Sequence, residues 1–153
     1  MHTVESFSCG DHDIDRFLRK DAAAEQKLSL SQIYVSTDLA GAVVAYFTLS
    51  PITVRVEPAL LSSLGIGSVP YPGLGGFLLG RLGVHTSLQH QGIGEALVMR
   101  ASQIAKAEAA VVGGVFLAVD PKSDKLVNWY AKQDFVRLGT RTRRMILPLK
   151  IVP

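Results

Sequence analysis

The chain has 153 residues, 48% of them apolar and 19% charged, with a formal net charge of +3. That balance suits one domain, residues 1–153, with a sizeable core, and it excludes a wholly disordered chain. Glycine or charge breaks every apolar run short of a membrane span, and the opening MHTVESFSCGDHDID lacks the basic and apolar regions of a signal peptide.

Asp11 and Asp13 are N-cap candidates for a helix carrying Ile14, Phe17, Leu18, Ala22 and Leu28 on one side. Its other side carries Arg16, Arg19, Lys20 and Lys27, either a solvated face or a phosphate-contacting surface. Gln32–Thr37 and Ala42–Leu49 are predicted strands joined by an Asp38-Leu39-Ala40-Gly41 hairpin, the second ended by Pro51. From Thr53 to Gly73 the pattern is irregular, with a short helix predicted at Ala59–Leu64. So long a loop between core strands is expected to serve function, here by covering a substrate entrance.

An apolar strand over Gly76–Val84 stops at a polar loop, His85–Gln91. Gly92 and Gly94 then open a helix with Ala96, Leu97, Met99, Ala101 and Ile104 on one side, closed by Gly113-Gly114. A helix start preceded by glycines leaves backbone N–H groups bare for an anion, aided by the helix dipole. Val115–Val119 reads as a buried strand, its unbroken apolar run pointing to a parallel position. A turn at Asp120–Ser123 leads to a helix over Asp124–Lys132, and Phe135–Leu138 and Arg144–Leu149 read as two final strands. Arg137, Arg141, Arg143 and Arg144 form the densest basic cluster.

Three phosphate-binding patterns compete for the glycine turn. A Walker loop requires Lys followed by Ser or Thr after its last glycine, where this chain has Glu95-Ala96. A dinucleotide fingerprint requires a third small residue where Leu97 stands. The third pattern uses Gln89 as well: Gln89-His90-Gln91-Gly92-Ile93-Gly94 resembles the Gln/Arg-x-x-Gly-x-Gly/Ala signature of the GNAT acetyltransferase superfamily. The resemblance implies an α/β fold, a mixed, mostly antiparallel sheet flanked by helices and splayed at the acetyl-CoA site. It also implies that the backbone of Leu82, Gly83 and Val84 meets the pantetheine arm. Gln89 and the N–H groups of Gln91, Gly92, Ile93, Gly94 and Glu95 would then hold the pyrophosphate.

A second landmark is Leu126-Val127-Asn128-Trp129-Tyr130, followed by Asp134-Phe135, which is similar to the family's Asn-x-Tyr…Gly-Phe segment, with aspartate where glycine is usual. By resemblance Asn128 contacts the cofactor and Tyr130 is the general acid. A phenol with a reference pKa of about 10 is neutral at working pH and can protonate the departing thiolate.

Phe7-Ser8-Cys9-Gly10, Ile14-Asp15-Arg16-Phe17-Leu18, Ala45–Ser50 and Leu79–Val84 resemble a narrower group, the GNAT-type toxins of bacterial toxin–antitoxin operons. Gly83 replaces the usual alanine there, a departure expected to change little. The resemblance implies acetylation of the α-amine of aminoacyl-tRNA, inhibition of translation, neutralisation by a ribbon-helix-helix antitoxin, and a homodimer. Arg16, Arg19 and Lys20 with Arg137, Arg141, Arg143 and Arg144 are the candidate tRNA track. No catalytic carboxylate stands out, which suits a free α-amine, whose reference pKa of about 7.7–8.0 leaves much of it neutral. Two alternatives stay open: a small-molecule or protein N-acetyltransferase, and a catalytically silent acyl-CoA-binding module.

The four histidines lack metal-ligand spacing, so no metal is expected. Cys9, the only cysteine, reads as a packed small hydrophobe and fits a reducing cytoplasm with no membrane partner.

Overall fold

The computed structural model describes residues 2–149. Six strands form one open, mostly antiparallel sheet with a parallel pair, in the order β1-β2-β3-β4-β6-β5. They are β1 (Gln32–Thr37), β2 (Val43–Val54), β3 (Leu74–Val84), β4 (Phe116–Val119), β5 (Val136–Arg137) and β6 (Met145–Pro148). The helices are α1 (His12–Arg16), α2 (Ala22–Lys27), α3 (Pro58–Ser63), α4 (Ile93–Val112) and α5 (Asp124–Ala131). No described helix is long and apolar enough to cross a membrane.

By contact density the chain divides into two compact units. The first, Met1–Ser50 with Leu79–Ala101, has a core of Phe7, Phe17, Leu18, Ala22, Val43 and Tyr46. Asp11 caps α1, its carboxylate accepting from the N–H groups of Asp13 and Ile14 at 3.0 and 3.3 Å; Asp13 lies inside the first turn. A π-turn over Phe17–Asp21 separates α1 from α2. The extra residue in that turn shifts the helical phase, and Leu28, expected on the apolar face, is exposed beyond the helix end. β1 and β2 pair antiparallel from Gln32↔Leu49 to Thr37↔Val43, closed by Asp38, whose carboxylate accepts from the N–H groups of Ala40 and Ala42.

β2 does not stop at Pro51, as predicted, but runs on to Val54. Its pairing with β1 ends at Leu49, so that flank is open where proline brings no N–H, and a strand tolerates proline on such a flank.

The second unit, Pro51–Leu78 with Ser102–Pro153, has a core of Val54, Val56, Leu61, Leu74, Phe116, Ala118 and Ile146. The irregular stretch before β3 contains α3, opened by Pro58 at its first turn, where a missing N–H costs nothing. Arg55, Leu61, Ser62 and Tyr71 help wall a cavity of about 400 Å³ there. β4 is buried at every position. On its β6 flank it is antiparallel, Phe116↔Pro148 to Val119↔Met145, and the unbroken apolar run fits a strand inside the sheet, which keeps one parallel pair. β5 is only two residues long.

Candidate active site

At the end of β3, Gly83 and Val84 are buried and Leu82 half-buried. A 3₁₀ turn over Thr86–Leu88 follows, then Gln89, His90 at φ +63° and Gly92 at φ +81°. At the start of α4 the Ala96 N–H donates to the Gly92 carbonyl at 3.1 Å, and a helix start is where backbone N–H groups point outward along the axis. A Cβ on Gly92 would meet nothing within 4 Å, so the backbone there faces open space and only its left-handed φ requires glycine. Gln91, Gly92 and Glu95 are exposed, Ile93 and Gly94 half-buried. With 20 residues behind it, this helix start carries roughly half a positive charge. It fits a pyrophosphate.

Leu97, Val98, Ala101 and Ala105 are the buried positions of α4. Ala96 and Met99, expected on that face, are exposed: helices bury a stripe, and its phase is set by what packs on it.

Gln89 has another occupation. Its side-chain nitrogen donates to the carbonyls of Cys9 at 2.6 Å and Val84 at 2.8 Å, which fixes the loop. The Thr86 N–H donates to the Ser8 carbonyl at 2.9 Å, and His85 Nε2 lies 3.1 Å from the Ser6 carbonyl. The segment from Ser6 to Cys9 is therefore a strap along the loop. Gly83 lies under it: a Cβ there would come within 2.8 Å of Ile14 Cγ2, 3.1 Å of Phe7 Cζ and 3.5 Å of Cys9 Sγ. Alanine at 83, expected to be an even exchange, does not fit.

In the second unit Ser123 caps α5, its hydroxyl accepting from the Leu126 N–H. Asn128 is exposed and Tyr130 buried. The Tyr130 ring packs edge-on to Trp129 and Phe135, with centroids 4.8 and 5.3 Å away. Burial raises its hydroxyl pKa above the ordinary tyrosine value, so the phenol stays neutral and keeps a proton to give. Asp134, standing where the family has glycine, adopts φ +74°. Aspartate is among the few residues that tolerate this conformation, and the Phe135 N–H then reaches back to the Tyr130 carbonyl to close the helix.

The basic groups divide. Arg16, Arg19 and Lys20 are exposed, although Arg19 also donates to the Phe7 carbonyl at 2.7 Å. In the other cluster Arg144 makes a two-pronged pair with Asp120 at 2.7 and 2.8 Å. Arg143 binds Asp124 and the Lys122 carbonyl, and Arg137 donates to the Thr142 carbonyl. Arg141 is exposed.

Burial and the Asp15 hydrogen bond push the Cys9 thiol up to about 12, so it is no nucleophile. Among the described residues no group of three or more His, Cys, Asp and Glu side chains is placed to hold a metal. Sequence reasoning missed the strap and Asp15. The Phe-x-Cys-Gly opening was visible, but its contact with a loop some 80 positions away has no local signal.

Residues 4–135 match the model of the acetyltransferase (GNAT) family. The chain belongs to the GNAT acetyltransferase family. As a member, it takes acetyl-CoA as acyl donor. The fold of this acetyltransferase is shared with solved structures of AtaT and KacT. AtaT complexed with acetyl-methionyl-tRNAfMet superposes with a TM-score of 0.87 at 24% identity, over 96% of this chain and 88% of that one. A tyrosine-to-phenylalanine mutant of KacT gives 0.87 at 24% identity over 97% and 88%. AtaTR bound with acetyl-CoA gives 0.81 at 25% identity over 97% and 87%.

Proposed function

We propose that this acetyltransferase is the toxin of a toxin–antitoxin pair and acetylates the α-amine of the amino acid on charged tRNA, blocking translation. What chiefly supports this is its likeness, along nearly the whole chain, to AtaT in complex with acetyl-methionyl-tRNAfMet. A structure of AtaT bound to the C-terminus of its antitoxin AtaR, at a TM-score of 0.82, supports an antitoxin partner. A ribbon-helix-helix antitoxin, a homodimer and a cytoplasmic site of action complete the proposal.

Acetyl-CoA supplies an activated acetyl thioester. The strand end Leu82–Val84 and the N–H groups of Gln91 to Glu95 hold it, with Asn128 as a further contact. The attacking amine loses its proton to water, since an α-amine with a reference pKa of about 7.7–8.0 needs no strong base. Tyr130 keeps its proton through the pH range of the reaction and gives it to the sulfur as the carbon–sulfur bond breaks, so CoA leaves as a thiol. Arg16, Arg19, Lys20 and Arg141 meet the tRNA phosphates. Arg137, Arg143 and Arg144, engaged within the chain, shape that surface.

Inducing the gene without its antitoxin should arrest growth, and Tyr130→Phe should relieve the arrest and slow acetylation about a hundredfold or more. Normal growth with the wild-type protein would refute the toxin; an active Tyr130→Phe would refute the general acid.

A further inference from the structure

We propose that Asp15 is a positioning residue for acetyl-CoA, acting through the Ser8–Cys9 backbone on the loop that leads into α4. Asp15 is 7% exposed. A carboxylate is buried only at a cost that hydrogen bonds must offset, and its Oδ1 accepts from the Cys9 N–H at 2.9 Å. That N–H belongs to the same peptide group as the Ser8 carbonyl, which accepts from the Thr86 N–H at 2.9 Å. The peptide is thus bonded at both ends, an arrangement in which each bond polarises and strengthens the other. In the next peptide group, the Cys9 carbonyl takes the Gln89 side chain at 2.6 Å.

Thr86 and Gln89 bracket the 3₁₀ turn immediately before the glycines. Asp15 therefore sets, from the end of α1, where the backbone N–H groups of Gln91 to Glu95 stand. Gly83 packs against Ile14, Phe7 and Cys9 at the same place, leaving the strap little room to slide. A phosphate seat made of backbone donors depends on such support, because misplacing the donors weakens every bond at once.

The inference rests on seating the pyrophosphate at Gln91–Glu95, and the test separates the two. Acetyl-CoA binding is measured by calorimetry on the whole protein, with thermal unfolding alongside. Asp15→Ala should weaken binding about tenfold, roughly one charge-assisted hydrogen bond. Asp15→Asn, which keeps an acceptor oxygen, should stay within about twofold. Gln89→Leu should weaken binding too, and the double variant with Asp15→Ala should be no worse than about the poorer single one, as groups acting as one unit are not additive. Wild-type affinity in a folded Asp15→Ala, an Asn variant as poor as the Ala variant, or additive effects would overturn the proposal. Gly92→Val tests the seat itself. If it binds normally the seat is elsewhere and both ideas fall; if it alone binds poorly, only the role of Asp15 falls. Should Asp15→Ala not fold, hydrogen exchange at the Cys9 amide decides: protection that rises with acetyl-CoA supports the relay, and protection indifferent to it refutes the relay.

Discussion

Replacing Gly83 by alanine should destabilise the protein although the change adds one methyl group. The new Cβ would lie 2.8 Å from Ile14 Cγ2 and 3.1 Å from Phe7 Cζ, against an ordinary carbon contact of about 3.5–4.0 Å. Neither neighbour yields easily. Ile14 is β-branched and stiff at χ1, and Phe7 is 0% exposed, with its ring edge-on to Tyr46 at 5.5 Å and His85 at 6.3 Å. Overpacking of this kind costs about 1–3 kcal/mol. At this chain length that is a fall in Tm of about 2–4 °C per kcal/mol. Urea unfolding followed by circular dichroism measures it, with Gly75→Ala as control, since a Cβ on Gly75 meets nothing within 4 Å. The control should unfold within about 0.5 kcal/mol of wild type. Equal midpoints for Gly83→Ala and wild type would refute the close packing of strap and strand.

Asp134→Gly should leave stability within about 0.5 kcal/mol, because aspartate tolerates the left-handed conformation and glycine frees the unfolded chain by a similar amount; a larger fall in the urea midpoint would show that the carboxylate has its own task. Arg141→Ala should weaken tRNA binding and reduce its salt dependence by about one counterion, read by filter binding across salt concentrations. Arg144→Ala should act on folding instead, by at most about 1 kcal/mol, the pair with Asp120 being partly exposed. In alkali, Cys9, Tyr46 and Tyr130 remain neutral in the folded chain above their ordinary values of 9.0, 10.0 and 10.0. The unfolded chain therefore binds fewer protons there, and stability is full below about pH 9 and falls as pH rises. A melting temperature flat from pH 8 to 11 would contradict those burials.

The order of strands and helices is written in the apolar periodicity, and the glycine turn and the Asn-x-Tyr segment are local patterns, so fold, family and cofactor were legible. What depends on packing was not. Proline at 51 ends a strand by propensity, yet β2 continues where its flank is open. The π-turn has no composition of its own, and Leu28 falls just past the end of α2. Four arginines within eight residues look like a phosphate track, but Asp120, Asp124 and two backbone carbonyls occupy three of them. Asp134 is a departure only by letter, since its backbone does what the usual glycine would do. Gly83 is the reverse case: its substitution looks trivial until the strap is laid over it.

The proposed acceptor is tested most directly by incubating a pool of aminoacyl-tRNAs with the purified protein and acetyl-CoA, then digesting and weighing the aminoacyl-adenosines by mass spectrometry. A gain of one acetyl group on the α-amine of at least one amino acid, lost with Tyr130→Phe, is the expected result. An unmodified tRNA pool beside an enzyme that acetylates small amines or protein termini would contradict it.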